Sequence, residues 1–237
     1  MIKRNIPNAI TLLNAIFGFG AIIYFLQHDY IMGSLFFFSA LIADLLDGFV
    51  ARWLKVDSDL GVQLDSLADA ISFGVVPAVI AREVLMQNAH NSDLEIPITF
   101  FAACIAAFSI LRLARFNIEK ADSAHFVGLN TPTNTIFWLG VALAQSFSFS
   151  IIGKLANSAG AVSVAIFLSC FFLVSRIKMF SLKNMGGLLR NVWFWTFIIG
   201  TTLSFIFATS DALAFTVVLY IAVNIGQDYA RKATTPQ

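Results

Sequence analysis

Charged residues are scarce in this 237-residue chain: Asp, Glu, Lys and Arg make up 12% of it, where an average soluble domain carries about 25%. Apolar residues fill 58% and the mean hydropathy is +0.80, which excludes an ordinary water-soluble globule. The net charge of +1 says nothing about nucleic acid, and no basic run with interleaved aromatics occurs, so no nucleic-acid partner is expected. The two cysteines, Cys104 and Cys170, lie inside apolar runs without metal-ligand spacing and read as small buried hydrophobes. His28, His90 and His125 fall in separate polar loops and are given no chemistry. There is no internal repeat, low-complexity stretch or separate soluble segment. One membrane domain is expected over 1–237.

What the chain has is apolar runs. They predict an all-α polytopic helix bundle embedded in a lipid bilayer, with about eight transmembrane spans near 10–26, 30–54, 61–86, 96–114, 134–152, 159–174, 192–207 and 212–225. Several are shorter than the roughly 20 residues that cross a hydrocarbon core of about 30 Å, so their ends are soft. The first run is too long for a signal-peptide core and is followed by no small-residue cleavage site, so it reads as a retained helix. Pro77 is expected to kink the third span. Thirteen of the 15 basic residues fall on the side shared by the termini and the even loops, leaving only Arg82 and Lys154 opposite. The positive-inside rule then places both termini in the cytoplasm, as for a protein of the bacterial inner membrane. Asp211, in the last external turn, and Asp228, in the tail, need no functional account.

Against this apolar background four carboxylates stand out. Asp44 and Asp47 are spaced i,i+3, and Asp65 and Asp69 i,i+4, so each pair shares a helix face. A charge at the centre of a membrane helix costs about 2.5–3.5 kcal/mol on insertion scales. Two carboxylates about 4 Å apart repel by roughly 4 kcal/mol at an effective dielectric near 20. One or two hard divalent cations, which prefer oxygen ligands, relieve that repulsion. The polar turn near 55–60 is short, so both pairs face each other on the cytoplasmic side. Gly48, Ala51 and Gly61 offer small surfaces where a ligand's ring or phosphates can approach the backbone. On the first helix Asn8, Thr11 and Asn14 share one face, with Asn8 either capping the helix or facing a ligand.

These residues spell D-x-x-D-G-x-x-A-R-x(8)-G-x-x-x-D-x-x-x-D, from Asp44 to Asp69. The pattern resembles the signature of the CDP-alcohol phosphotransferases at all eight fixed positions. The resemblance implies replacement of the CMP part of a CDP-lipid by an incoming alcohol. It implies two divalent ions, Mg or Mn, with Asp44, Asp47 and Asp65 as principal ligands. Asp69 would take the proton of the attacking hydroxyl while also contacting a metal. Asn8, Thr11, Gly48, Ala51, Arg52 and Gly61 would bind the CDP-lipid, and a homodimer is implied.

Three further stretches resemble the integral-membrane phosphatidylserine synthases within that family. They run from Asp65 to Pro77, from Leu111 to Asn117 and from Phe126 to Pro132. Asn130 stands where that subfamily more often has proline. The resemblance covers about 7–183 and implies CDP-diacylglycerol and L-serine as substrates. A zwitterionic acceptor needs a cation for its carboxylate. Arg112, Arg115 and Lys183 are either that cation or positive-inside anchors and lipid-phosphate contacts. Glycerol 3-phosphate or an inositol phosphate is the alternative acceptor and would need a denser cationic pocket. An ion-coupled transporter also fits intramembrane carboxylates. The absent repeat, the clustering at one face and the full signature argue against it.

Overall fold

In the computed structural model, residues 2–56, 58–88, 94–118, 126–147, 149–179 and 192–234 are described, and they are almost wholly helical. Among the described residues, five helices are long and apolar enough to cross a membrane: Asn5–Leu26, Tyr30–Leu54, Asp59–Met86, Glu95–Ile118 and Ala212–Ala230. Two shorter apolar helices, Ala159–Val174 and Val192–Phe207, join them. The polytopic all-α expectation therefore holds. The chain divides into two compact units, Met1–Arg115 and Phe116–Gln237.

In the first unit α1 (Ile2–Leu26) folds back onto α2 (Tyr30–Leu54) through a tight turn. His28 takes a left-handed φ of 60° in that turn, and Asp29 caps α2 by accepting from the Met32 N–H at 3.0 Å. Sequence reasoning started the first helix near residue 10, with Asn8 as a possible cap. Instead the helix begins at Ile2 and passes through Pro7, whose missing N–H forfeits one intrahelical bond. Asn8 therefore sits inside the helix and is free to face a ligand.

Lys55 ends α2 in a left-handed cap, φ 52°, and Ser58 restarts the chain by accepting from the Gly61 N–H at 2.9 Å. The next helix runs without interruption from Asp59 to Met86 but changes pitch on the way. It comprises α3 (Asp59–Asp69), a π-turn (Ala70–Val75) and α4 (Val76–Met86). Pro77 has no N–H, and its ring would crowd the carbonyl of Phe73 in a regular helix. The wider turn, closed by Val76 N–H to the Ile71 carbonyl, absorbs that conflict. It also buries Ser72, Phe73 and Gly74 in succession. Gly18 of α1 meets this turn so closely that a Cβ there would lie 2.1 Å from Ser72 Oγ. Phe37 and Phe73 pack edge to face with centroids 6.0 Å apart.

The last helix of the unit is α5 (Glu95–Ile118), whose buried stripe is Ala102, Ile105 and Ser109. Near its start Arg82 of α4 pairs with both Glu83 and Glu95 and donates to Thr99 at 2.9 Å. Glu83 is buried and also lies 3.6 Å from His28 Nδ1. This network closes the end of the unit opposite the Lys55 turn.

In the second unit the expected fifth span is broken. Helix α6 (Thr131–Ala144) stops after 14 residues, about 21 Å at 1.5 Å per residue, and α7 (Ile151–Ala156) starts afresh. Ser150 caps α7 by accepting from Gly153 N–H and donates to Asp211, whose other oxygen accepts from Ile151 N–H at 2.9 Å. Asp211 is thus buried and structural, where the sequence suggested an idle external turn.

Trp138 of α6 is fully buried and donates to Ser169 of α8 (Ala159–Val174) at 3.1 Å. A two-residue antiparallel ladder, β1 (Phe126–Val127) with β2 (Lys178–Met179), pairs Phe126 with Met179. Gly128 follows it at φ 76°, where a Cβ would lie 2.9 Å from the Ser175 carbonyl. Asn130 caps α6 by accepting from Thr133 N–H at 2.8 Å. Finally α9 (Val192–Phe207) packs on α10 (Ala212–Thr234), which also lies against α6.

Candidate active site

The turn at Lys55 and the cap at Ser58 reverse the chain between α2 and α3, and α1 packs on both, so the carboxylates of the two helices meet. Asp44, Asp47 and Asp65 each present one oxygen within 4.8 Å of the others. Asp47 is buried and accepts a hydrogen bond from Thr11 of α1. Among the described residues neither Asp44 nor Asp47 forms an ion pair with a Lys or Arg. An all-oxygen set of three close carboxylates fits a hard divalent cation. Asp69, one turn further along α3, stands apart from this trio. One of its oxygens accepts from Asn14 Nδ2 at 3.3 Å.

A cavity of about 330 Å³ opens beside the trio. Asn8, Thr11, Gly48, Ala51, Arg52 and Gly61 all line it, together with Asp44, Asp47 and Asp65. A Cβ on Gly48 would lie 3.4 Å from Arg52 Nη1, so the guanidinium lies over this glycine. A Cβ on Gly61 would lie 3.2 Å from Asn8 Oδ1, which puts the Asn8 amide at the start of α3. A cation over a glycine floor, a helix start and a carboxylate cluster together offer groups that complement phosphate oxygens and a cation.

The candidates for the acceptor are less closely gathered. Arg112 is half-buried and continues the buried stripe of α5 one turn beyond Ser109, whereas Arg115 is exposed. Neither lines the cavity. Lys183, like His90 and His125, lies outside the described residues. Sequence reasoning passed over Ser58 and Val62, which do line the cavity, and the link from Asn14 to Asp69. The shared face of Asn8, Thr11 and Asn14 was the available signal for that link.

A family model described as CDP-alcohol phosphatidyltransferase matches residues 4–174, from α1 through α8. The chain belongs to this family. Among relatives of this CDP-alcohol phosphatidyltransferase are proteins named CDP-diacylglycerol–serine O-phosphatidyltransferase. That of Bacillus subtilis is 36% identical over 54% of this chain and 69% of its own length. That of Saccharomyces cerevisiae is 38% identical over 59% of this chain and 54% of its own. The Mycobacterium bovis protein is 34% identical over 60% and 50% respectively. The chain thus spans about half the length of the yeast and mycobacterial relatives. Family membership removes the transporter reading, since a CDP-alcohol phosphatidyltransferase is an enzyme.

Proposed function

We propose that this protein transfers the phosphatidyl group of CDP-diacylglycerol to L-serine, giving phosphatidylserine and CMP. The observation that carries the chemistry is the trio Asp44, Asp47 and Asp65, within 4.8 Å, beside a cavity holding Arg52. The names of the relatives support serine as acceptor. The chain is a single membrane domain over 1–237, with a catalytic core over about 7–183 and two further spans near 192–225. The site faces the cytoplasm, in the bacterial inner membrane, and the enzyme works as a homodimer.

Asp44, Asp47 and Asp65 would hold the metal, Mg or Mn, as one ion or two. Bound there, it neutralises the pyrophosphate and the charge that grows on departing CMP. Asn8, Thr11 and the Gly48–Ala51 floor seat the nucleotide end, and Arg52 binds phosphate oxygens. The serine hydroxyl oxygen bonds to the phosphorus carrying the diacylglycerol, and the bond from that phosphorus to the CMP oxygen breaks. Asp69 takes the hydroxyl proton. Arg112 is the favoured partner for the serine carboxylate, since it is half-buried while Arg115 is exposed.

The test is CMP release by purified protein in lipid nanodiscs containing CDP-diacylglycerol, with a divalent metal and one acceptor at a time. Release with serine, abolished by EDTA and lowered about 10²–10⁴-fold by Asp69→Asn, is expected. Release with glycerol 3-phosphate or an inositol phosphate instead would keep the metal site and overturn the serine assignment. Undiminished release in EDTA would overturn the metal reading.

A further inference from the structure

Asn14 lies on α1 about one turn beyond Thr11, is fully buried, and has no task in the chemistry above. Its Nδ2 donates to Asp69 Oδ1 at 3.3 Å. Its backbone carbonyl accepts from the Ser72 hydroxyl at 3.0 Å, which pins the same residue to the π-turn directly after Asp69. Its side-chain oxygen meets no hydrogen-bond donor among the described residues. Protein interiors seldom leave a buried acceptor open. Here the open oxygen belongs to the amide that holds Asp69, where an incoming alcohol must bring its hydroxyl.

We propose that Asn14 is a positioning residue for the acceptor step, an inference that rests on Asp69 as the base. The amide N–H fixes the carboxylate of Asp69 so that its lone pair points at the attacking hydroxyl. The open oxygen receives a hydrogen bond from the ammonium group of an amino alcohol. Once the hydroxyl proton is committed to Asp69, the ammonium is the next donor along the substrate. The attachment of α1 does not depend on this amide. Ser72 bonds the backbone of Asn14, and Gly18 packs on Ser72. Substitution at the Asn14 side chain therefore separates orientation from packing.

The experiment uses full-length enzyme in nanodiscs with Mn and CDP-diacylglycerol, with L-serine as the varied substrate. Asn14→Ala is expected to lower kcat about 30-fold and raise the serine KM several-fold, since small misplacements of reacting groups cost up to about 10² in rate. The Kd for CDP-diacylglycerol should stay within about two-fold, because that step uses other residues. Asn14→Ser, which restores a shorter donor and acceptor, should recover part of kcat. Ser72→Ala should leave the serine KM unchanged. In the Asn14→Ala/Asp69→Asn double variant the two losses should not add, because one residue acts through the other.

An unchanged kcat and serine KM in Asn14→Ala would overturn the proposal. So would a parallel loss of CDP-diacylglycerol affinity, or losses that add in the double variant. Should Asp69→Asn alone remain fully active, the base reading fails and this inference with it. An inactive Asp69→Asn beside a fully active Asn14→Ala would sink only this inference.

Discussion

Three carboxylates within 4.8 Å repel one another until a cation sits among them, so their effects on stability and on activity have opposite signs. At an effective dielectric near 20 each close pair costs up to about 4 kcal/mol. Asp44→Asn should therefore raise the apparent Tm in EDTA. It should also abolish the rise that Mn produces in the unsubstituted protein and reduce CMP release by at least about 10²-fold. A melting series with and without Mn checks the first two. Thr11 donates to the buried carboxylate of Asp47, and a hydrogen bond to a charged group contributes about 1.5–3 kcal/mol. Thr11→Val should accordingly weaken Mn binding, read as a higher Mn concentration for half-maximal stabilisation. The carboxylates were legible in the sequence because charge is conspicuous in apolar surroundings. Asn14 was not, because a neutral amide costs little to place on a helix and its partner lies 55 positions away.

Helix ends obey local chemistry that sequence shows only in part. The caps at Asp29, Ser58 and Ser150 use the expected residue types. The break between α6 and α7 was hidden because Phe147 and Phe149 alternate with Gln145 and three serines across it, so the run stays partly apolar. It depends on Asp211, which reaches back from far along the chain. The π-turn was equally hidden, although Pro77 marked the place. Asn130, unusual for the subfamily, supplies a cap, and its φ of −72° suits proline as well. Asn130→Ala should cost about 1 kcal/mol. Asn130→Pro should come out nearer neutral, because a restricted unfolded chain offsets about 0.4–1 kcal/mol of the lost cap. Thermal melting in one detergent would rank the two. Gly18→Leu would drive a side chain into Ser72, at a cost of about 1–3 kcal/mol or more. It should lower the apparent Tm and detach α1 from the base, so CMP release should fall with it.

At the scale of the whole molecule, the class was written in composition, while the direction of insertion rests on charge counting. If the eight expected spans put thirteen of the 15 basic residues on one side, the positive-inside rule makes a sharp prediction. In a background with Cys104 and Cys170 changed to alanine, Lys154→Cys should react with an impermeant maleimide in intact cells. Arg176→Cys, across α8 from it, should react only after permeabilisation. The reverse pattern would place the carboxylates outside. Within the first unit, a single helix line runs from Asp65 and Asp69 at one end to Arg82 and Glu83 at the other, with the π-turn between them. That turn holds one residue more than a regular helix needs for the same rotation, so it works as a slack loop in the line. Remove one residue from 70–75, and the stretch can close as regular α-helix with both ends keeping the faces they present. Glu83 would stay in its buried place beside Arg82 and His28, and Asp65 and Asp69 would stay where they are, while the ring of Pro77 would meet the helix ladder directly. The extra residue therefore serves the proline and the buried run beside it, and the two ends of the line are indifferent to it.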